Sequence, residues 1–234
     1  MQTVSAQKTV LLIGASRGLG FAMAAEYLKR GWRVIATARD TSTDKLRRLA
    51  EGSDGALEVE TVDITNPGQV TNLHDRLGDR RVDVLFVNAG VMNDARETIA
   101  DVSTEEFVRL MVTNSLSPMR VIEALQGHVQ PTGTIGVMSS GQGSVTNNTN
   151  GRFEVYRGSK AALNMFMRSF AARHANDTRT LLLMAPGWVR TDMGGPEARL
   201  SIEESIPSLL HTMEAHEGRP GLHYLDYLGR VVPW

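Results

Sequence analysis

Cysteine is absent from the 234 residues. No disulfide, thiolate nucleophile or Cys-containing metal site can therefore form. Long apolar runs are missing too. No stretch approaches the ~18 residues of a membrane span, and the opening M-Q-T-V-S-A-Q-K has no apolar core of signal-peptide type. Neither sign of charge dominates: 25 basic and 26 acidic residues give a formal net charge of -1, with no long basic run. Composition thus offers no footprint for nucleic acid or an anionic membrane. The six histidines are scattered without the H-x-x-x-H spacing of a helical metal site, so no metal is expected. Ser139-Ser140 is not in a G-x-S-x-G elbow and no His has a persuasive partner, which removes a Ser-His-Asp triad. What remains is a chain 41% hydrophobic, long enough for one sizeable core. A single cytoplasmic domain over 1–234 is the expectation.

Hydrophobic patterning alternates between short β-branched runs and helical periods. Thr9 to Ile13 reads as a strand buried on both faces. G-A-S-R-G-L-G follows, then a helix from Leu19 to Arg30 closed by Gly31, then a strand from Trp32 to Ala38. Further strands are expected at Leu57–Val62, Val82–Val87, Gly133–Met138, Arg179–Met184 and Leu222–Leu225. Helices are expected at Thr43–Glu51, from Asn66-Pro67 to Leu77, from Thr104 to Leu125 with Pro118 at a kink or break, from Val155 to His174, and at Ile202–Ala215. The spacing predicts an α/β fold: a doubly wound Rossmann-type sheet of about seven mostly parallel strands, with helices on both faces. In such sheets ligands bind beyond the carboxyl ends of the strands. The glycine turn, Asp63, Asn88-Ala89-Gly90, Ser139-Ser140 and Pro186-Gly187 each follow a strand and should line that edge.

Each motif has a chemical and a bland reading. Gly14, Gly18 and Gly20 permit a tight turn and the close approach of a pyrophosphate to a helix N-terminus; without a ligand they make only a tight βα turn. Arg17 in that turn and Arg39 after the second strand could hold a ribose 2′-phosphate, which favours NADP(H) over NAD, or could be solvated arginines. Asp40 counts the other way. Asp63 could accept from an adenine amino group or cap the next helix. Asn88 could tie strand ends or contact cofactor. Asn114, polar within L-M-V-T-N-S-L, could position a water or brace the backbone. A hydroxyl of Ser139 or Ser140 could orient a carbonyl. Tyr156 and Lys160 are one helical turn apart, so an ammonium could lower the phenol pKa and make it a general acid. The bland alternative is a half-buried Tyr beside a snorkelling Lys.

Together these residues, in this order, resemble the short-chain dehydrogenase/reductase family over nearly the whole chain. The longer loop between Ser140 and Tyr156, the run from Gly187 to Gly195 and the Pro233-Trp234 ending resemble its C-factor-like and sniffer-type carbonyl reductases. The resemblance implies an NADP(H)-dependent reductase of a small-molecule ketone, aldehyde or quinone. Alternatives are an alcohol dehydrogenase working in oxidation and a C-factor-type signalling protein. It implies Tyr156 as general acid/base, Lys160 lowering its pKa and binding the nicotinamide ribose, Ser140 orienting the substrate, and Asn114 completing a proton relay. It implies cofactor contacts from Gly14, Ser16, Arg17, Gly18, Leu19, Gly20, Arg39, Asp63, Ile64, Asn88, Ala89, Gly90, Tyr156, Lys160, Pro186, Gly187, Val189 and Thr191. Ile13 departs from the family's usual Thr, losing a hydroxyl that helps fix the turn. The segment 194–215 is a candidate substrate lid, and a homodimer or homotetramer is a candidate assembly.

Overall fold

Seven strands form one sheet in the order β3-β2-β1-β4-β5-β6-β7, every neighbouring pair parallel, in a computed structural model that describes residues 7–39 and 44–234. The strands are β1 (Thr9–Ile13), β2 (Arg33–Ala38), β3 (Leu57–Thr61), β4 (Val82–Val87), β5 (Val129–Met138), β6 (Thr180–Ala185) and β7 (Gly221–Asp226). The helices are α1 (Gly18–Lys29), α2 (Asp44–Glu51), α3 (Pro67–Leu77), α4 (Thr104–Met111), α5 (Ser117–Leu125), α6 (Glu154–Arg173) and α7 (Ile202–Ala215). Asp40, and Thr43 at the expected start of α2, lie outside the described residues. No helix is long and apolar enough to cross a membrane among the described residues.

The side-chain alternation of a strand splits the core into two layers. Leu11 and Ile13 of β1 face α3, α5 and α6, where they join Val70, Leu73, Ile122, Leu163 and Phe170. Val10 and Leu12 face the opposite layer, with Met23 and Tyr27 of α1, Leu46 of α2 and Leu209 of α7. Strands apolar on both faces are what a parallel sheet covered on both sides requires.

Two expectations need correction. The helix from Thr104 to Leu125 is not continuous: a π-turn over Val112–Leu116 separates α4 from α5. Pro118 falls in the first turn of α5, where a missing N–H costs little. The fifth strand starts at Val129, four residues earlier than its apolar run indicates, with a register shift opposite Val82/Val84. The candidate lid 194–215 contains one of these helices. Ile202–Ala215 is a core helix with a Ser201/Glu204 capping box, burying Ile206, Leu209, Leu210 and Met213. Arg30 ties it to α1 through the Pro207 carbonyl at 3.1 Å and Glu214 at 2.8 Å.

Candidate active site

The glycine turn is held from below. Thr37 on β2 accepts from Gly14 N–H through Oγ1 at 3.0 Å, and its carbonyl accepts from Ala15 N–H at 2.7 Å. The hydroxyl that Ile13 lacks is thus supplied by the neighbouring strand. Asn88 donates from Nδ2 to the Gly14 carbonyl at 2.8 Å, so its amide is structural in this state. Gly14 has φ +88°, and a Cβ there would sit 2.9 Å from Ala89 N; a Cβ on Gly20 would lie 2.1 Å from the Gly14 oxygen. Both positions exclude a side chain on steric grounds.

Helix α1 then begins with its end open. Arg17 at the N-cap is extended and makes no side-chain cap, and the first turn holds no acid. Asn66, Ser103 and Ser201 cap α3, α4 and α7. An uncapped N-terminus leaves N–H donors for an anion, and the glycine cradle gives a pyrophosphate room to approach. The residues therefore fit a dinucleotide cofactor. Across the turn, Thr191 Cγ2 lies 3.9 Å from where a Gly18 Cβ would be, and the Arg17 guanidinium meets Asp192 at 3.4 Å in an exposed pair. Arg39 is exposed directly after β2.

Asp63 does not cap α3, which is the task of Asn66; its carboxylate accepts from Thr65 N–H at 2.9 Å and Thr65 Oγ1 at 2.7 Å. Ile64 is buried in the core layer beneath. Pro186 accepts from Ser205 Oγ at 2.7 Å, and Gly187, at φ +84°, packs on Leu200 and Tyr227. Val189 is buried, and Thr191 Oγ1 accepts from Gly194 N–H at 3.0 Å. Leu200 returns to Trp188 and Arg190 through backbone bonds of 3.0 and 2.9 Å, closing the excursion 188–200.

The Tyr156 side chain lies beside Ser140. Ser140 Oγ accepts from Gln142 N–H at 3.1 Å, capping the short turn Gly141–Gly143. Ser139 points the other way, donating to Asn164 Oδ1 at 2.6 Å inside the protein. Ser139 is thus engaged inside the protein, and Ser140 is the serine left beside Tyr156. Lys160 is buried, its Nζ 5.9 Å from the Tyr156 ring centroid and donating to the Met138 carbonyl at 2.8 Å. A Cβ on Gly90 would be 3.4 Å from both Lys160 Nζ and Asn114 Oδ1, so the end of β4 packs between them. Asn114 is fully buried in the π-turn. It accepts from Val91 N–H and donates to the Val91 carbonyl, both at 2.8 Å, and donates to Ser159 Oγ at 2.9 Å. Its side chain braces the backbone, and its amide has no donor left over for a water.

Electrostatics differ from expectation. Burial pushes the Tyr156 phenol up from its usual value; the Ser140 hydroxyl beside it pulls it down, and the Tyr224 phenol adds to the rise. Burial lowers the Lys160 ammonium to about 8. The proposed lowering of Tyr156 by Lys160 is outweighed here because both groups are desolvated and the ammonium is aimed at Met138. Thr37, Ser159, Asn164 and Tyr224 were not assigned to the site by sequence. Asn164 carried a signal, being four residues after Lys160 on the same helix face; the others, reached across strands or through a hydroxyl, carried none.

A family model described as short chain dehydrogenase matches residues 8–199. The chain belongs to the short-chain dehydrogenase family. Its sequence is 37% identical over 162 residues to the C-signal protein of Myxococcus xanthus, covering 65% of this chain and 93% of that one. The structure matches a short-chain dehydrogenase/reductase of Burkholderia multivorans crystallised with bound NADP, at 58% identity and TM-score 0.96, over 97% of this chain and 100% of that one. It also matches the carbonyl reductase Sniffer of D. melanogaster, at 25% identity and TM-score 0.86, over 97% and 100%. The short-chain dehydrogenase match takes in the glycine cradle, Asn114, Ser140, Tyr156 and Lys160, and the resemblance to C-factor-like and sniffer-type proteins holds.

Proposed function

We propose that this chain is an NADP(H)-dependent carbonyl reductase acting on a ketone, aldehyde or quinone. One observation carries it: a buried lysine and the Tyr156 phenol beside it, next to Ser140, stand at the same sheet edge as an open, glycine-lined helix N-terminus. The bound reduced cofactor supplies a hydride to the carbonyl carbon. The chain does the rest. The glycine turn and α1 hold the pyrophosphate, and Arg17 and Arg39 face the 2′-phosphate. Ser140 Oγ hydrogen-bonds the carbonyl oxygen, which is becoming an alkoxide. Tyr156 delivers its hydroxyl proton to that oxygen, and the Lys160 ammonium stabilises the phenolate left behind.

The test is a titration with NADPH and NADH, followed by cofactor absorbance across aldehydes, ketones and quinones, with Tyr156→Phe as control. Tighter NADPH binding with turnover lost in the variant is the expected result. Binding without turnover on any carbonyl would move the reading to a signalling role, which the likeness to C-signal supports. In that case a Tyr156→Phe chain would remain active in a cellular assay.

The partner we propose for the groove between α5 and α6 is a second copy of the chain. Leu116 and Phe166 are exposed there, and Arg120, Glu123 and Arg173 bring both signs of charge to one patch, as a self-complementary face needs. Light scattering should give twice the chain mass; a monomer at roughly 50 μM, a weak-dimer concentration scale, ends the idea.

A further inference from the structure

The loop that carries Ser140 is not held by its own strand alone. Beyond β7 the chain turns back: Leu225 bridges Val231 antiparallel, Val232 N–H donates to the Tyr224 carbonyl at 2.9 Å, and Val232 is buried in the core. The end of this hairpin lies on the loop after β5. The Trp234 carbonyl accepts from Thr146 N–H at 3.0 Å, Thr146 Oγ1 at 2.7 Å and Ser144 Oγ at 3.3 Å. The Trp234 ring sits 5.5 Å from the Tyr224 ring, and the Arg168 guanidinium of α6 lies 5.1 Å from it on another side.

Tyr224, 3% exposed, points its hydroxyl into the same place from β7. It donates to the main-chain carbonyl of Ser140. Ser139 and Asn164, which hydrogen-bond each other at 2.6 Å, lie close by. Ser140 is therefore fixed at three points: its hydroxyl by Gln142 N–H, its carbonyl by Gly143 N–H at 2.9 Å and by Tyr224. Its neighbour loop is pinned by Trp234.

We propose that Tyr224 is a positioning residue for Ser140, and that the hairpin ending at Trp234 is the brace that holds Tyr224 and the 144–147 loop in place. The proposal rests on the reading of Ser140 and Tyr156 as the catalytic pair. Tyr224 touches neither the substrate carbonyl nor the cofactor in that reading. It sets where the Ser140 hydroxyl stands when the carbonyl oxygen gains charge. A small displacement of such a donor lowers the chemical step far more than it lowers binding.

The experiment compares Tyr224→Phe, Thr146→Val and Tyr156→Phe with wild type, using the best carbonyl from the panel above. Tyr224→Phe keeps the ring and removes only the donor. Its kcat should fall about ten-fold, as expected for a misplaced group, while KM and the NADPH Kd stay within about two-fold because binding groups are untouched. Amide exchange in the peptide covering 139–149 should quicken. Thr146→Val, an exposed position that leaves the fold intact, should quicken the same peptide and lower kcat less. A Tyr224→Phe enzyme with wild-type kcat, or one whose kcat, KM and NADPH Kd all worsen together, overturns the proposal. Should Tyr224→Phe not fold, Thr146→Val decides: unchanged exchange at 139–149 overturns the brace. If instead Tyr156→Phe still turns over, the catalytic reading fails, whereas the exchange data report on the brace regardless.

Discussion

Lys160 is where chemistry and stability conflict most openly in this chain. Its ammonium is buried with one carbonyl partner, which holds it at about 8 against 10.5 for a free lysine. Below about pH 8 the folded and unfolded chains both carry the proton, so the burial cost is constant. Between about 8 and 10.5 the unfolded chain keeps the proton and the folded chain has lost it, so stability rises with pH across that window. Above about pH 10 three phenols act the other way. Tyr27, Tyr156 and Tyr224 are all raised by burial, so the folded chain keeps protons that the unfolded chain releases, and stability falls. The lysine contribution is isolated by Lys160→Met in the cofactor-free protein. At pH 7 the variant should be more stable, by on the order of 1–3 kcal/mol, and inactive. At pH 9.5 the advantage should shrink by about 2 kcal/mol. Urea unfolding at the two pH values measures this; a pH-independent difference would mean that Lys160 is well solvated when folded.

Among the elements, the π-turn between α4 and α5 shows most plainly what sequence can and cannot say. Apolar period and composition place the helix over Thr104 to Leu125 at the correct ends, because Ser103 caps one and buried Leu125 closes the other. Pro118 announces an irregularity. It cannot announce its type, since one extra residue per turn leaves the local pattern nearly unchanged. The π-turn puts Asn114 under Val91, where its amide satisfies both backbone groups of that residue. Asn114→Ala would strand those groups and Ser159, and should cost about 2–4 kcal/mol, the price of several unmet polar groups in a protein interior. A urea midpoint within error of wild type would show that water reaches Val91 instead. The same limit explains β5: its apolar run begins only at Gly133 although the strand starts at Val129, and Gly133 itself fits because a Cβ there would come within 2.7 Å of the Asp83 carbonyl. It also explains α7, whose Gly-Gly-Pro approach suggested a mobile segment although its apolar face, Ile206 to Met213, is a core stripe. Ser140 against Ser139 is a further case. Alternation puts the two on opposite faces, but only the strand's actual end says which face meets Tyr156.

At the scale of the whole molecule, seven parallel strands place seven carboxyl ends on one edge. Residues as distant as Gly14, Asn88, Ser140 and Pro186 converge there because topology leaves them no alternative, which is why most of the candidate site was readable from the order of its motifs. Contacts made sideways through the sheet, Thr37 to Gly14 and Tyr224 to Ser140, had no such marker. The convergence also means that the cofactor should tie these loops together more firmly than contacts such as the exposed Arg17–Asp192 pair do. A ligand that binds only the folded chain stabilises it by about 2.7 kcal/mol at a hundred times its Kd. For a domain of this length that is a rise in Tm of about 5–10 °C. NADPH at that level should produce this rise. NADH at equal concentration should produce a smaller one, because it lacks the phosphate that Arg17 and Arg39 are proposed to meet. Equal shifts from the two cofactors would mean that these arginines do not read the 2′ position, and that the preference, if any, lies in the segment that follows Arg39.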